Sequence, residues 1–192
     1  MIIGITGSFG SGKTTVAKMF AKFGAYTIDA DKVYHLLIKP GKSCYKKIVR
    51  YFGKDILTNS GRIDRKKLGN IVFKDKAKLK ILNSITHDEV IKEIKRIVKL
   101  KKGKVAIEAP LLIESGFYKE TDKVILVASK REEQVRRIKE ARGLSSKEIL
   151  KRIRMQMPFK KKLALADFII DNSGSKRDTL TQVKEIWKQR GA

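Results

Sequence analysis

The sequence predicts an α/β fold in which a mostly parallel sheet is flanked by helices. Two observations support this fold class. Short apolar segments alternate with helical patterns near both ends of the chain, and the first of them, residues 1–6, leads into a glycine-rich turn. Because a crossover between parallel strands needs a connecting helix, such alternation is typical of a parallel sheet covered on both faces.

Five short segments are predicted to be the strands of this sheet. The first ends at a glycine-rich turn, as a buried strand followed by a tight loop does. The helical pattern after it has apolar residues at the spacing of one helix face, namely Val16, Met19, Phe20 and Phe23. The predicted strands are residues 1–6, 26–29, 105–108, 123–128 and 168–170.

Two helical regions interrupt this alternation. Residues 32–102 contain several helical patterns, and an interval of this length exceeds a simple crossover, so it predicts an inserted helical lobe. Residues 130–166 form a second helical region, which is rich in arginine, and we expect phosphate contacts there. Ser145 and Glu148 have the spacing of a helix-capping box, and Ser175 and Asp178 repeat it before the C-terminal helix.

The net charge is strongly positive. The chain carries 45 Lys and Arg against 20 Asp and Glu, a formal charge of +25. Nucleic-acid binding would use such a field through counterion release. Lys predominates over Arg, however, and Lys is a hydrated point charge whereas Arg binds phosphate with a bidentate fork. This balance favours a solvated basic surface over a nucleic-acid site.

The remaining composition predicts one cytoplasmic domain. A chain of 192 residues suits a single domain with inserted lobes, and 42% hydrophobic residues suffice for a core. No apolar run approaches the roughly 20 residues of a membrane span, and the N-terminus has no secretory leader pattern. Cys44 is the single cysteine, so it has no internal disulfide partner and fits a reducing compartment.

A phosphate-binding motif follows the first predicted strand. Residues 7–14, GSFGSGKT, match G-x-x-x-x-G-K-[ST] at every fixed position, between an apolar strand and an amphipathic helix. Backbone N–H groups and the helix N-terminus attract phosphate oxygens in such a loop. Lys13 is expected to reach the β- and γ-phosphates of ATP, and the Thr14 hydroxyl to coordinate Mg²⁺. The glycine spacing is the reverse of the dinucleotide pattern, so a nicotinamide-binding protein is disfavoured.

Carboxylates follow the second and third predicted strands. Asp29 and Asp31 are two residues apart, so on one strand both would face the crevice where open α/β sheets bind ligands. A carboxylate there can orient an attacking hydroxyl; alternatively, either aspartate caps the next helix. Glu108 ends the third strand, where P-loop enzymes place a group that holds Mg²⁺ or its water. Glu114 has either a similar role or that of a charge at a helix start.

With these residues in place, the sequence resembles the dephospho-coenzyme A kinase family along nearly its whole length. Each motif alone is weak evidence, but their ordered succession at family-like spacing is specific. The matching positions are residues 4–14, 29–31, 39–41, 61–65, Leu68, Phe73, 82–87, 110–112, Glu114, Gln134, Arg137, Arg142, Gln156, 166–167 and 171–172.

The resemblance implies a P-loop kinase that transfers the γ-phosphate of ATP, with Mg²⁺, to the ribose 3′-hydroxyl of dephospho-coenzyme A. The implied fold has a parallel central sheet flanked by helices, an inserted helical substrate lobe and a helical lid. The implied parts are a core of residues 1–31, 103–129 and 163–192, a substrate lobe of about residues 32–102, and a lid of about residues 130–162.

The resemblance also implies roles for individual residues. Asp31 matches an aspartate that engages the acceptor hydroxyl, and Arg137 and Arg142 match lid arginines that approach the ATP phosphates. The expected catalytic residues are Lys13, Asp31, Arg137 and Arg142. The expected nucleotide-binding residues are Gly10, Ser11, Gly12, Lys13, Thr14, Thr15 and Asn172. The expected substrate-binding residues are Asp29, Asp31, Arg65, His87, Pro110 and Leu111. The expected metal ligands are Thr14 and, through water, Glu108.

The sequence departs from the family pattern at two positions. His87 is followed by Asp88 where many members have Pro, which puts the start of the local helix in question, and Glu108 stands where many have Asp. Three alternatives remain: a P-loop kinase for a nucleoside monophosphate or another small metabolite, a basic nucleic-acid-binding P-loop protein, and a P-loop protein with only a structural role. No aromatic-rich patch or zinc finger supports the second. No sequence feature indicates an oligomeric state.

Overall fold

The computed structural model describes residues 1–189 and divides the chain into two compact units. The first, the core unit, contains Met1–Asp29 and the chain from Lys101 onward. The second, the helical unit, is Ala30–Leu100. Each unit has its own set of buried apolar side chains.

The core unit is built on a five-stranded parallel sheet. The strands are β1 Ile2–Gly7, β2 Tyr26–Asp29, β3 Val105–Glu108, β4 Lys123–Ala128 and β5 Phe168–Asp171. Their order across the sheet is β2-β3-β1-β4-β5, and every neighbouring pair is parallel. Mostly apolar strands suit this arrangement, because helices cover both faces of a parallel sheet. The predicted α/β fold and the five predicted strands are confirmed.

Nine α-helices form within residues 1–189, joined by two short 3₁₀ helices at Lys54–Ile56 and Phe117–Glu120. Helices α2 to α5 belong to the helical unit and the others to the core unit. The helices are α1 Lys13–Lys22, α2 Ala30–Leu37, α3 Ser43–Phe52, α4 Arg65–Val72, α5 Lys76–Lys99, α6 Arg131–Arg142, α7 Ser146–Arg154, α8 Phe159–Leu163 and α9 Lys176–Lys188.

The register of the sheet aligns the carboxyl ends of its strands. Glu108 of β3 pairs with Ile5 of β1 and with Asp29 of β2. On the other side of β1, Gly7 pairs with Val127 of β4. Because parallel strands all end at one edge, the loop after β1 lies at the same edge as Asp29 and Glu108, which is where open α/β sheets bind ligands.

Apolar side chains fix α1 and α9 to the sheet. Phe20 of α1 and Val183 of α9 are fully buried in the same core cluster. Trp187 packs against Phe20 and Phe23, with ring centroids 6.3 and 6.2 Å apart. Burial of branched and aromatic side chains is the dominant stabilising term here, and it holds α1 against the sheet.

Both predicted capping boxes are present. The Ser145 hydroxyl accepts the N–H of Glu148, whose carboxylate accepts the N–H of Ser145, and Ser175 and Asp178 repeat the arrangement. These bonds satisfy N–H groups that the first turn of a helix leaves without partners. They also lower the pKa of the Glu148 and Asp178 carboxyls, because the serine donors favour the charged form.

The helical unit packs α2 to α5 around an apolar core of its own. Ile48 and Ile56 are fully buried there, next to the fully buried Cys44. Burial raises the pKa of the Cys44 thiol to about 11. The thiol therefore stays protonated near neutral pH, and a protonated thiol is a poor nucleophile.

Helix α5 begins well before His87. The Asp75 carboxylate caps it by accepting the N–H of Ala77 at 2.9 Å and that of Lys78 at 3.1 Å. Asp88 then lies inside the helix. Because Asp, unlike Pro, keeps its backbone N–H, the helix continues through this position without a break.

The junction after β2 corrects one prediction. β2 ends at Asp29 and α2 begins at Ala30, so Asp31 lies in the first turn of α2. The expectation that Asp29 and Asp31 share one face of a strand is therefore wrong, because the chain becomes helical between them. A carboxylate in the first turn of a helix is favoured by the helix dipole.

Candidate active site

The loop of residues 8–12 joins β1 to α1 and depends on its glycines. Gly10 and Gly12 have φ values of 83° and 88°, a left-handed geometry that favours glycine. A Cβ on Gly12 would collide with the amide nitrogen of Asn172, and one on Gly10 would lie 2.9 Å from the Gln134 carbonyl oxygen. Gly10 and Gly12 therefore allow both the turn and its close approach to α6 and to Asn172, which follows β5.

Backbone N–H groups of this loop are available to a ligand. Among residues 1–189, the N–H groups of Gly10, Gly12 and Thr14 donate to no protein acceptor, whereas that of Thr15 donates to Gly12 O at 3.0 Å. They lie at the N-terminus of α1, where the helix dipole adds partial positive charge. This combination fits the phosphate groups of a nucleotide.

Lys13 lies against the same loop. Its side chain is buried, and its Nζ donates to Gly7 O at 3.1 Å and to Ser8 O at 3.0 Å. Carbonyl oxygens of the loop therefore fix the ammonium group next to the proposed phosphate site. The contact of Lys13 with the β- and γ-phosphates stays a prediction.

Thr14 and Glu108 form a direct pair. The Thr14 hydroxyl donates to Glu108 Oε1 at 2.6 Å, which joins the start of α1 to the end of β3. Hard oxygen donors of this kind suit Mg²⁺, which is usually bound by one or two protein oxygens together with phosphate oxygens. Within residues 1–189 there is no cluster of three or more His, Cys, Asp or Glu side chains that could hold a metal by itself. The Thr14–Glu108 pair therefore fits a metal that arrives with nucleotide.

Asn172 fixes the loop from the other side. Its Nδ2 donates to Ser11 O at 2.8 Å, and its Oδ1 accepts from the Thr179 hydroxyl at 3.0 Å. The side chain is buried, and both ends of its amide bind protein groups. This arrangement gives Asn172 the role of supporting the loop, and its contact with nucleotide stays a prediction.

Arg137 lies beside the loop. Its guanidinium donates to Asn172 O at 2.8 Å and to the Ser129 hydroxyl at 3.4 Å, and it lies 3.5 Å from the Glu133 carboxylate. A Cβ on Gly12 would be 3.6 Å from Arg137 Nη1. This predicted arginine is therefore within reach of a phosphate bound in the loop.

Arg142 occupies a different position, over the ring of Phe9. The guanidinium carbon of Arg142 is 5.3 Å from the ring centroid, and that of Arg152 is 5.6 Å from it. The Phe9 N–H also donates to Gln156 Oε1 at 2.7 Å. Phe9, at a variable position of the motif, thus connects the loop to α6 and α7. The approach of Arg142 to phosphate stays a prediction.

The turn after β3 carries Pro110 and Leu111. The Pro110 carbonyl oxygen accepts from the Thr6 hydroxyl of β1 at 3.3 Å and from Lys162 Nζ at 3.1 Å. The Leu111 side chain is partly exposed, at 39%. Glu114 of the same turn starts no helix, so the expectation of a charge at a helix start is wrong. Its carboxylate pairs with Lys162, and a metal-holding role for Glu114 stays a prediction.

The helical unit contains a basic cavity of about 790 Å³. Arg65 lines it, with Nη1 2.6 Å from His35 Nε2; because guanidinium only donates, Nε2 is the acceptor. His87 does not line this cavity. The residues that line it are His35, Ile38, Lys39, Pro40, Ser60, Arg62, Ile63 and Arg65.

Comparison with known proteins gives one consistent family. A family model described as dephospho-CoA kinase matches residues 1–178. The dephospho-CoA kinase of Aquifex aeolicus is 47% identical over 190 residues, which cover 97% of this chain and 96% of that protein.

The chain belongs to the dephospho-CoA kinase family.

Solved structures agree with this family. Dephospho-CoA kinase from Campylobacter jejuni matches with a TM-score of 0.69 and 30% identity, over 97% of this chain and 95% of that one. The crystal structure of TT1252 from Thermus thermophilus matches with a TM-score of 0.87 and 34% identity, over the same shares. The resemblance to the dephospho-CoA kinase family and the P-loop kinase fold are therefore confirmed.

Membership of the dephospho-CoA kinase family makes the chain an ATP-dependent phosphotransferase, and the alternative functions are not favoured. Within residues 1–189, no helix is long and apolar enough to cross a membrane.

Several residues of the candidate site were missed by sequence reasoning. His35, Lys39 and Arg62 line the basic cavity, and Lys162 pairs with Glu114. Lys39 and Arg62 lie inside segments that resemble the dephospho-CoA kinase family, which was the available signal. Lys162 had none, because it is one of three consecutive lysines and only tertiary contacts distinguish it.

Proposed function

We propose that this chain transfers the γ-phosphoryl group of ATP to the ribose 3′-hydroxyl of dephospho-CoA. The reaction gives coenzyme A and ADP. The observation that carries the proposal is the phosphate loop with Lys13 and the Thr14–Glu108 pair, in a chain of the dephospho-CoA kinase family.

The donor site consists of the loop and its neighbours. The N–H groups of Gly10, Gly12 and Thr14 bind phosphate oxygens of ATP, and the Lys13 ammonium neutralises charge on the β- and γ-phosphates. Ser11 and Thr15 are proposed as further nucleotide contacts, and Asn172 keeps the loop in place.

Thr14 and Glu108 are the residues that would hold Mg²⁺, the second directly or through water. When bound, the ion would supply positive charge that neutralises the phosphate groups of ATP. The Thr14 hydroxyl and the Glu108 carboxylate are oxygen donors of the kind that Mg²⁺ prefers, and both lie beside the phosphate loop.

Asp31 is proposed to act on the acceptor. Its carboxylate accepts a hydrogen bond from the 3′-hydroxyl and takes its proton as the oxygen attacks the γ-phosphorus. A bond forms between the 3′-oxygen and this phosphorus, the bond to the bridging oxygen breaks, and ADP leaves with those electrons. Positioning of the two substrates supplies much of the rate, because phosphoryl transfer needs little covalent help from protein.

Arg137 and Arg142 are proposed to stabilise charge on the transferring group from the lid of residues 130–162. Arg137 lies beside Gly12, so a small movement brings it to a phosphate. Arg142 would leave the Phe9 ring to do the same. A cation on an aromatic ring is bound weakly enough for phosphate to displace it.

The basic cavity of the helical unit is proposed to take the diphosphate of dephospho-CoA. Lys39, Arg62 and Arg65 supply the positive charge, and Arg offers the fork geometry that phosphate prefers. Four further residues are proposed to contact dephospho-CoA: Asp29, His87, Pro110 and Leu111.

A cytoplasmic location is proposed with this activity. The single cysteine, Cys44, is a buried thiol, which fits a reducing compartment. The proposed phosphate donor, ATP, is a cytoplasmic metabolite. A basic surface without a nucleic-acid task is proposed for the +25 charge.

An assay of ADP release tests the proposed function. The protein is incubated with ATP, Mg²⁺ and, in turn, dephospho-CoA, AMP or no acceptor. Of the three conditions, we expect ADP release only in the one that contains dephospho-CoA. We also expect ³¹P NMR to show the new phosphate of the product on the 3′-oxygen. Faster release with AMP would instead assign the chain to nucleoside monophosphate phosphorylation.

A further inference from the structure

Lys162 of α8 is a buried lysine outside the predicted site. Its side chain has 0% exposure, and its Nζ lies 2.8 Å from Glu114 Oε1. The same Nζ donates to the Pro110 carbonyl oxygen at 3.1 Å. Lys160 and Lys161, its neighbours along α8, are both exposed. One lysine of the three thus has a specific internal position.

Stability alone is a poor explanation for this pair. Removing two charges from water carries a desolvation penalty that their attraction often fails to recover, so apolar side chains of similar size commonly do as well. In addition, Glu114 Oε2 is buried without a hydrogen-bond partner among residues 1–189. A pair with an unsatisfied oxygen is better explained by what it positions.

The pair holds the turn that carries two proposed substrate contacts. Pro110 O accepts from Lys162 and also from the Thr6 hydroxyl of β1. The Glu114 carboxylate, four residues later, accepts the N–H of Met157 at 3.1 Å. Lys162 therefore contacts both ends of residues 110–114, and these contacts leave the turn little freedom to shift.

The same connection reaches the phosphate loop. Gln156, next to Met157, accepts the N–H of Phe9 at 2.7 Å. Residues 156–162 thus join the loop to the turn after β3 through three points: Gln156, Met157 and Lys162. A displacement of this segment would move both.

We propose that Lys162 and Glu114 are positioning residues for the acceptor substrate. They fix Pro110 and Leu111 at the distance from the phosphate loop that transfer requires, and neither touches a reacting atom. The proposal rests on the proposed function, because it takes Pro110 and Leu111 as contacts of dephospho-CoA.

A double variant separates positioning from folding. Lys162→Met alone leaves the Glu114 charge buried without its partner, so it should lower the melting temperature. Glu114→Gln with Lys162→Met removes both charges, while Gln can still accept the Met157 N–H. We expect the double variant to regain most of the melting temperature of the wild-type protein.

Acceptor kinetics of the double variant decide the proposal. We expect its KM for dephospho-CoA to rise at least about tenfold, because small misplacements of a bound reactant are costly, with the KM for ATP within about twofold of wild type. Lys160→Met, on an exposed lysine of the same helix, is the matched control and should change neither. A folded double variant with a wild-type KM for dephospho-CoA would overturn the positioning role.

Two further results keep the test decisive. Should the double variant fail to fold by circular dichroism, Glu114→Gln alone is measured: a raised KM for dephospho-CoA with an unchanged KM for ATP supports the proposal, and two unchanged values overturn it. Wild-type protein in the same assay distinguishes a failure of the proposed function from a failure of the positioning role. Absence of transfer by wild type contradicts the proposed function, whereas wild-type acceptor kinetics in an active variant contradict only the positioning role.

Discussion

Residues around the phosphate loop bind one another as well as offering groups to a ligand. The Lys13 ammonium donates hydrogen bonds to the carbonyl oxygens of Gly7 and Ser8, and the Thr14 hydroxyl donates one to the Glu108 carboxylate. Such contacts fix polar groups before the substrate binds, so less reorganisation is needed when charge develops. Substitutions at this scale should therefore affect turnover more than binding.

Lys13→Ala should lower kcat at least about 10²-fold, because it removes preorganised positive charge from the phosphates. The measurement is ADP release at saturating ATP and dephospho-CoA. Lys18→Ala, on an exposed position of α1, is the matched control and should leave kcat unchanged. Normal turnover of the Lys13 variant would remove Lys13 from the mechanism.

Asp31→Asn should lower kcat by about 10² to 10⁴, since an amide cannot accept the proton of the attacking hydroxyl. The KM for ATP should change little. Asp88→Asn replaces an exposed carboxylate within α5 and serves as the control. Full activity of Asp31→Asn would mean that Asp31 only supports the start of α2.

Two helices of the core unit, α7 and α9, start at capping boxes that the sequence predicts. The cap of α9 is Ser175, whose bond with the Asp178 N–H satisfies the first turn. The hydrogen bond from Ser175 lowers the pKa of Asp178 from its usual value of 3.8. The stabilisation from this carboxylate is therefore present above about pH 4 and is lost as the pH falls through the lowered pKa.

Ser175→Ala should lower the melting temperature by about 2–4 °C near neutral pH, because a serine cap is lost from a chain of this size. Thermal unfolding from neutral to acid pH is the measurement. The difference from wild type should shrink at low pH, where Asp178 is protonated in both proteins. Ser84→Ala, at an exposed serine that caps no helix, should show no such pattern. A difference that stays constant with pH would contradict the coupling of Ser175 to Asp178.

The whole molecule carries a charge of +25, while both proposed substrates are anions. A basic surface raises the rate at which anions arrive, and salt screens this effect beyond about 10 Å at 0.1 M. The chemical step, by contrast, depends on groups inside the loop. A change in ionic strength should therefore affect substrate binding, measured by KM, and leave phosphoryl transfer, measured by kcat, nearly unchanged.

Raising potassium chloride from about 0.05 M to about 0.5 M should increase the KM values for ATP and dephospho-CoA several-fold and leave kcat nearly constant. Initial rates over both substrate ranges measure this. Uncharged sucrose at matched viscosity controls for diffusion. A fall in kcat with an unchanged KM would place the effect of the charge in the chemical step.

Local sequence determined the phosphate loop, the starts of two helices and the strands of the sheet. Residues 7–14 form the glycine-rich turn between a strand and a helix that the motif predicts. Ser145 and Ser175 begin their helices as predicted, because a capping box needs only residues three apart. Apolar runs gave all five strands for the same reason, since alternation of strands and helices is a property of neighbouring residues.

Tertiary structure alone decided the rest. Asp31 lies on a helix rather than a strand, because the end of β2 is set by its pairing with β3. Lys162 became a buried partner of Glu114 only when α8 met the turn after β3, a contact 48 residues apart (162 − 114) in the chain. The cavity with His35 and Arg62 likewise joins distant segments. Periodicity and motifs report on near neighbours, whereas these contacts depend on which surfaces the folded chain brings together.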